Sequence, residues 1–103
     1  MDKIAMLKEI LADNPKEAFA RYGLAMEYAG QSDFATAMTE FDRLLSDHPE
    51  YTAGYFMAAQ TLVKAGQVED AKARLRQGIA SAQSTRNQHA EGEMQQLLDE
   101  LEN

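Results

Sequence analysis

Residues 15–48 read PKEAFARYGLAMEYAGQSDFATAMTEFDRLLSDH, and residues 49–82 read PEYTAGYFMAAQTLVKAGQVEDAKARLRQGIASA. Each stretch begins with a proline, and Pro15 and Pro49 stand 34 residues apart. Superimposing them pairs Tyr22 with Phe56, Ala25 with Ala59 and Tyr28 with Leu62. Phe34 then falls on Val68, Ala37 on Ala71, Phe41 on Leu75 and Leu45 on Ile79. Small residues match small ones and large apolar residues match large ones, as one helical hairpin written twice requires.

Working outward, apolar residues recur at helical spacing through most of the chain. Ile4, Leu7, Ile10 and Leu11 form one face. Asn14 reads as an N-cap, with Pro15 at the first helical position and Glu17 three residues after the cap. That helix should run to about Ala29 and close at Gly30. Ser32 reads as the N-cap of a helix from Asp33 to about Ser46. Pro49 opens another, ending before Gly66, and Val68 to about Ser81 makes a further one. Gln83 to Asn87 is a polar loop in which Thr85 and Gln88 are spaced as a capping box. A last helix covers about Gln88 to Leu101, with Met94, Leu97, Leu98 and Leu101 on one stripe. Nothing alternates with period two over a useful length. The expectation is all-α, about five helices joined by short turns.

Composition narrows the function classes. A length of 103 residues suits a single domain, since domains typically hold ~100–150 residues. The 45% apolar and 26% charged content is that of a globular chain. The absence of cysteine removes disulfides, thiolate metal sites and cysteine nucleophiles. A net charge of −7 and a pI near 4.7 argue against a nucleic-acid or anionic-membrane partner, because phosphate-tracking surfaces are basic. Asp2, Lys3, Lys8 and Glu9 interrupt any apolar leader in the first ten residues. The longest uncharged stretch, Tyr51 to Val63, is too short for a membrane span, which needs ~20 apolar residues. The expected setting is the cytoplasm.

The repeat resembles the tetratricopeptide repeat family. Its 34-residue pattern runs from an aromatic through small packing residues and Tyr to Ala, Phe and a closing Pro. The first unit offers Arg21, Leu24, Ala25, Tyr28, Ala37, Phe41 and Pro49, and the second Tyr55, Ala58, Ala59, Leu62, Gly66, Ala71 and Leu75. Arg21 departs from the opening aromatic, Ser32 stands where Gly66 sits, and Gln83 replaces the closing proline. The resemblance covers residues 1–83 and implies a right-handed α-solenoid of stacked hairpins. Within one domain at 1–103, it suggests a half-repeat helix at 1–14, repeats at 15–49 and 50–83, and a capping helix at 88–101. Such hairpins cannot bury their apolar stripes alone and must stack. Gly23, Gly54, Gly78 and Gly92 fall inside expected helices. Each costs about 1 kcal/mol against alanine, so packing must hold the helices.

Function must come from surface that the stack leaves over. In the helix after Pro15, Leu24, Ala25 and Tyr28 serve the hairpin, while Phe19, Tyr22, Met26 and Ala29 form a second stripe. After Pro49 the corresponding face holds Ala53, Phe56, Gln60, Val63 and Lys64. In the family this face lines a concave groove for a peptide or partner helix, and aromatic and methionine surface suits adaptable protein binding. Packing against neighbouring helices is the competing reading of the same residues. Members that hold acidic chaperone tails carry lysine and asparagine at the positions of Tyr22 and Met26, so that mode is disfavoured here. An apolar or amphipathic helical ligand fits better.

Chemistry finds little footing. His48 precedes Pro49 at a helix junction, and His89 lies four residues before Glu93 with no third metal ligand nearby. Glu69-Asp70 and Asp99-Glu100 are sequence neighbours that point to different helix faces. Phosphate loops, paired zinc histidines and serine elbows are missing from the sequence. The expectation is a non-catalytic interaction module without cofactor, with a homodimer through the groove or stack ends as the alternative. Charge is uneven, at −5 over residues 1–50, +3 over 51–86 and −5 over 87–103. Lys72, Arg74, Arg76 and Arg86 should therefore partly neutralise the acidic last helix, leaving a largely uncharged groove.

Overall fold

Six helices follow one another in a computed structural model that describes residues 2–103: α1 Lys3–Asp13, α2 Ala18–Gly30, α3 Phe34–Asp47, α4 Thr52–Lys64, α5 Val68–Ser84 and α6 Gln88–Glu102. Met1, the first residue of the expected half unit, lies outside the described residues. The helix expected before Pro15 is the 11-residue α1, and counting it brings the total to six rather than about five. Asp2 caps it by accepting from the Ala5 N–H at 2.8 Å.

The helices expected to open at Pro15 and Pro49 start about one turn later, at Ala18 and Thr52. Asn14 to Glu17 is a turn closed by the Glu17 N–H on the Asn14 carbonyl at 3.1 Å, and Tyr51 closes on His48 at 3.0 Å. Proline's fixed φ suits the second position of such a turn as well as it suits a first helical residue. Glu17 rather than Asn14 is the cap, its carboxylate accepting from the Ala20 N–H. Asp33, not Ser32, caps α3, and Asn87, not Thr85, caps α6. Thr85 serves the other side of that loop, donating to the Ser81 carbonyl and extending α5 to Ser84.

Three helices end in the same left-handed closure. Ser32, Gly66 and Arg86 have φ of 62°, 79° and 58°. The following N–H groups, from Asp33, Gln67 and Asn87, return to the Tyr28, Leu62 and Ala82 carbonyls at 2.8 to 2.9 Å. This satisfies carbonyls that a helix end leaves orphaned. Of the three residues only Gly66 adopts the conformation without a Cβ penalty.

The stack has three linked apolar clusters. Leu11, Ala20 and Leu24 join α1 to α2; Ala25, Ala37, Phe41, Leu44 and Ala58 join α2, α3 and α4. Tyr55, Ala59, Leu62, Ala71, Leu75, Ala82, Met94 and Leu98 bind α4, α5 and α6. Ala25, Ala37, Ala59 and Ala71 are fully buried, so the small residues shared by the two repeats mark where helices press together. The helical glycines divide on the same ground. A Cβ on Gly78 would lie 2.5 Å from Met94 Sδ and 2.6 Å from Tyr55 Cβ, whereas one on Gly92 would meet nothing within 4 Å.

Arg21 fills the place of Tyr55, 34 residues earlier. Tyr55 donates its hydroxyl to the Pro49 carbonyl at 2.8 Å, and Arg21 Nη2 donates to the Pro15 carbonyl at 2.8 Å. Arg21 Nη1 also pairs with Glu40 at 2.6 Å, with 8% and 17% of the two side chains exposed. The residue that departs from the repeat pattern performs the pattern's hydrogen bond.

Candidate binding groove

Helices in this stack alternate between two rows. Among the described residues the backbones of α2 and α4, and of α4 and α6, approach closely, whereas those of α1 and α3, and of α3 and α5, stay more than 8 Å apart between Cα atoms. The even-numbered row is therefore the inside of the bend and the odd-numbered row the outside. With overall extents of 43 × 29 × 18 Å the ribbon is two helices thick, each helix being about 10 Å across.

The inner row carries every residue expected for a groove, in different environments. Phe19, at the start of α2, is 73% exposed. Tyr22 and Met26, on the same stripe, are half-buried and pack on the Ala25–Phe41 cluster. Tyr22 leans into α3 and α4, its ring 6.5 Å from Phe41 edge-on and 5.5 Å from Tyr51. Burial raises the Tyr22 pKa above the ordinary phenol value. Phe56 and Val63 are half-buried against the α4–α6 core, Gln60 is half-buried, and Lys64 is exposed at the end of α4. Tyr22, Met26, Phe56 and Val63 brace the core with one edge and leave the other exposed.

Only some of these residues meet in one place. Phe56 and Gln60 line a cleft of about 250 Å³ with Glu93, Gln96, Leu97 and Glu100 of α6. A second cleft of about 240 Å³ shares Phe56 and Glu93 and continues past Ala53, Asn87 and His89. Phe19 and Lys64 lie at opposite helix ends, outside both clefts. The α6 wall was absent from the sequence reading, which treated that helix only as a cap. The register follows from the helix starts that the structure shows, where Asn87, Tyr51 and Glu17 each stand one residue before an inner helix. Counting from those caps puts Gln96 in register with Gln60 and Met26, and Glu100 with Lys64 and Gly30.

The charge pattern differs from the expectation. Arg76 reaches Glu102 at 3.1 Å, but Arg74 turns to Asp42 of α3 at 2.6 Å and Lys72 to Glu69 of its own helix at 3.1 Å. Neutralisation of α6 reduces to a single exposed pair, of a kind worth ~0–1 kcal/mol. The groove is not uncharged, because Glu93 and Glu100 stand in its wall.

Each histidine contacts neighbouring polar groups. His48 Nε2 lies 2.7 Å from the Lys16 carbonyl, tying together the two proline turns. His89 Nε2 lies 3.2 Å from Glu93 across one turn of α6. The described residues contain no group of three or more His, Cys, Asp or Glu side chains placed to hold a metal ion. Nor is any described helix long and apolar enough to cross a membrane.

Comparison with known proteins places this geometry. A family model described as tetratricopeptide repeat matches residues 28–91. A TPR repeat-containing protein of Pseudomonas aeruginosa is 29% identical over 96 residues, which span 93% of this chain and 91% of that one. The solution structure of a tetratricopeptide repeat domain protein from Salinibacter ruber superimposes with a TM-score of 0.80 at 26% identity, covering 86% of this chain and 90% of the other. A protein from Bordetella parapertussis superimposes with a TM-score of 0.84 at 26% identity, covering 98% and 88%. The fold is the right-handed α-solenoid of stacked hairpins that the repeat implied.

Proposed function

The chain belongs to the tetratricopeptide repeat family, and from that premise we propose that it holds a peptide or partner helix in the inner groove formed by α2, α4 and α6. The family fold generally mediates protein–protein interaction and is typically non-catalytic. The observation that carries the finer reading is Phe19, left 73% exposed beside Tyr22 and Met26. A large apolar side chain standing in water at the edge of a half-buried aromatic row gains most when a partner covers it. Phe19, Tyr22, Met26, Phe56, Gln60 and Val63 are the contact surface in this reading, with Lys64 at its far end. The module acts without cofactor, and its setting is the cytoplasm.

Affinity capture comparing the wild-type chain with a folded Tyr22→Ala/Phe56→Ala variant tests this, with loss of the captured protein expected. Equal recovery by both chains contradicts it. A second reading, pairing of two copies through a stack end, draws on Met6 and Ile10, which are 49% and 43% exposed on α1. The mass in solution at micromolar concentration decides it: a strict monomer removes the second reading.

A further inference from the structure

The inner face changes character from one end to the other. In register, the α2 positions are Phe19, Tyr22, Met26 and Gly30, the α4 positions Ala53, Phe56, Gln60 and Lys64, and the α6 positions His89, Gly92, Gln96 and Glu100. The face is aromatic and thioether-rich on α2, mixed on α4, and polar with one acid, Glu100, on α6, beside which Glu93 stands one position off the stripe. Three clefts open along α4 and the α4–α6 junction, and their charged lining is Glu50, then Glu93, then Glu93 with Glu100. No lysine or arginine lines any of the three. Glu93 meets only the exposed His89, and Glu100 meets no cation among the described residues.

The cations that have a partner lie elsewhere, and Lys16, Arg43 and Arg86, which are in no ion pair among the described residues, also line none of the three clefts. Arg21 and Arg74 point into outer-side pairs with Glu40 and Asp42, Arg76 holds Glu102, Lys72 holds Glu69 and Lys3 holds Glu27. Lys8 sits over the Tyr28 ring at 5.9 Å. Lys64 is the one inner-face lysine, and it lies outside the clefts.

We propose that the groove takes a basic amphipathic peptide segment, with a large apolar side chain against Phe56 and lysine or arginine on Glu93 and Glu100. This rests on the groove reading above and adds the sign of the ligand. Apolar surface supplies contact area, while an acidic wall attracts cationic segments and rejects acidic ones, since like charges facing across an interface weaken it. An acidic tail, the ligand of the family's lysine-bearing members, would face Glu93 and Glu100 and find Tyr22 and Met26 where its clamp should be.

The test is selection of a random 12-residue peptide display library on the immobilised full chain, with affinities of recovered peptides measured by fluorescence anisotropy. Recovered peptides should carry lysine and arginine at about twice the library's frequency, together with an aromatic or large aliphatic residue. Glu93→Gln/Glu100→Gln should weaken them by about ten-fold at 50 mM NaCl and by about two-fold at 500 mM, because salt screens exposed pairs. Phe19→Ala, at a position exposed enough to spare the fold, should weaken them in both salts. Peptides with no basic excess, or indifferent to the Glu93/Glu100 change, overturn the inference, and the groove reading survives if Phe19→Ala still weakens them. Recovery of no peptide, or of peptides indifferent to Phe19 and Phe56 alike, overturns both. A dimer that buries Phe56 against a second copy also overturns the inference.

Discussion

The hairpin α2–α3 and the hairpin α4–α5 are two copies of one unit, and they have diverged differently on their two sides. On the outer side the residues differ while the bond stays: Arg21 and Tyr55 each donate to the carbonyl of the preceding proline at 2.8 Å. Neighbouring charges explain the choice. Glu40 faces Arg21 in the first copy, where Arg74 stands in the second and turns instead to Asp42. Lys8, on the helix before the first copy, has its pKa raised chiefly by Tyr28 and to a smaller extent by Glu40. Glu40 has Arg21 as its partner, whereas Arg74 has Asp42. On the inner side the copies share no such obligation, and Phe19 and Met26 become Ala53 and Gln60. Where the stack needs a bond, a different residue supplies it; where it needs nothing, the chemistry is free to serve a ligand.

The largest test of that contrast is Arg21→Ala. It strands the mostly buried Glu40 carboxylate and the Pro15 carbonyl, and should destabilise the chain by about 2–4 kcal/mol in urea unfolding. Tyr55→Phe, which removes only a neutral hydroxyl donor, should cost about 1 kcal/mol. If the two residues do the same work, Arg21→Tyr should recover most of the loss once Glu40→Gln removes the stranded charge. Failure of that pair to recover any stability breaks the equivalence.

Next in size is Gly78→Ala, where the new methyl presses on Tyr55 Cβ at 2.6 Å. Overpacking of this kind costs about 1–3 kcal/mol, more than the ~1 kcal/mol gained in helix propensity. Gly92→Ala, with open space around it, should gain about 1 kcal/mol and raise Tm by several degrees. Equal effects at both positions would mean that α5 does not approach α4 as closely as described. Ser32→Gly sharpens the comparison with Gly66: relieving a left-handed residue should stabilise by up to about 1 kcal/mol, offset by glycine's unfolded-state entropy. Gly66→Ser should destabilise to a similar degree.

The smallest expected effect is on pH dependence. Burial raises the Tyr22, Tyr51 and Tyr55 hydroxyls above their ordinary pKa of 10.0. The folded state therefore favours the neutral phenols, so their contribution is intact below the unfolded value and lost as pH climbs past it toward the folded values. Stability should hold up to about pH 10 and decline above it, and Tyr55→Phe should blunt that decline.

The helices, the repeat and the buried alanines were legible because period and residue size report directly on packing. Helix starts were less so, because a proline fits a turn or a first helical position equally well. The cap is then whichever side chain the turn brings to the free N–H groups, Glu17 in one case and Asn87 in another. Arg21 read as a departure because a sequence shows residue type and not the acceptor a side chain reaches. Helical spacing made Phe19, Tyr22 and Met26 legible as one stripe of α2 and Phe56, Gln60, Val63 and Lys64 as one of α4. The acidic wall was not, because α6 read as a cap and its register with α4 appears only when the turns are in place.

The central claim, that ligand is held on the inner row, is tested most directly by mapping amide chemical-shift changes when a selected basic 12-residue peptide is added to the labelled chain. The account predicts the largest changes at Phe19, Tyr22, Met26, Phe56, Gln60, Val63 and Gln96. Changes confined to Asp42, Ser46, Arg74 and Gln77, which line the cleft on the outer side, would contradict it.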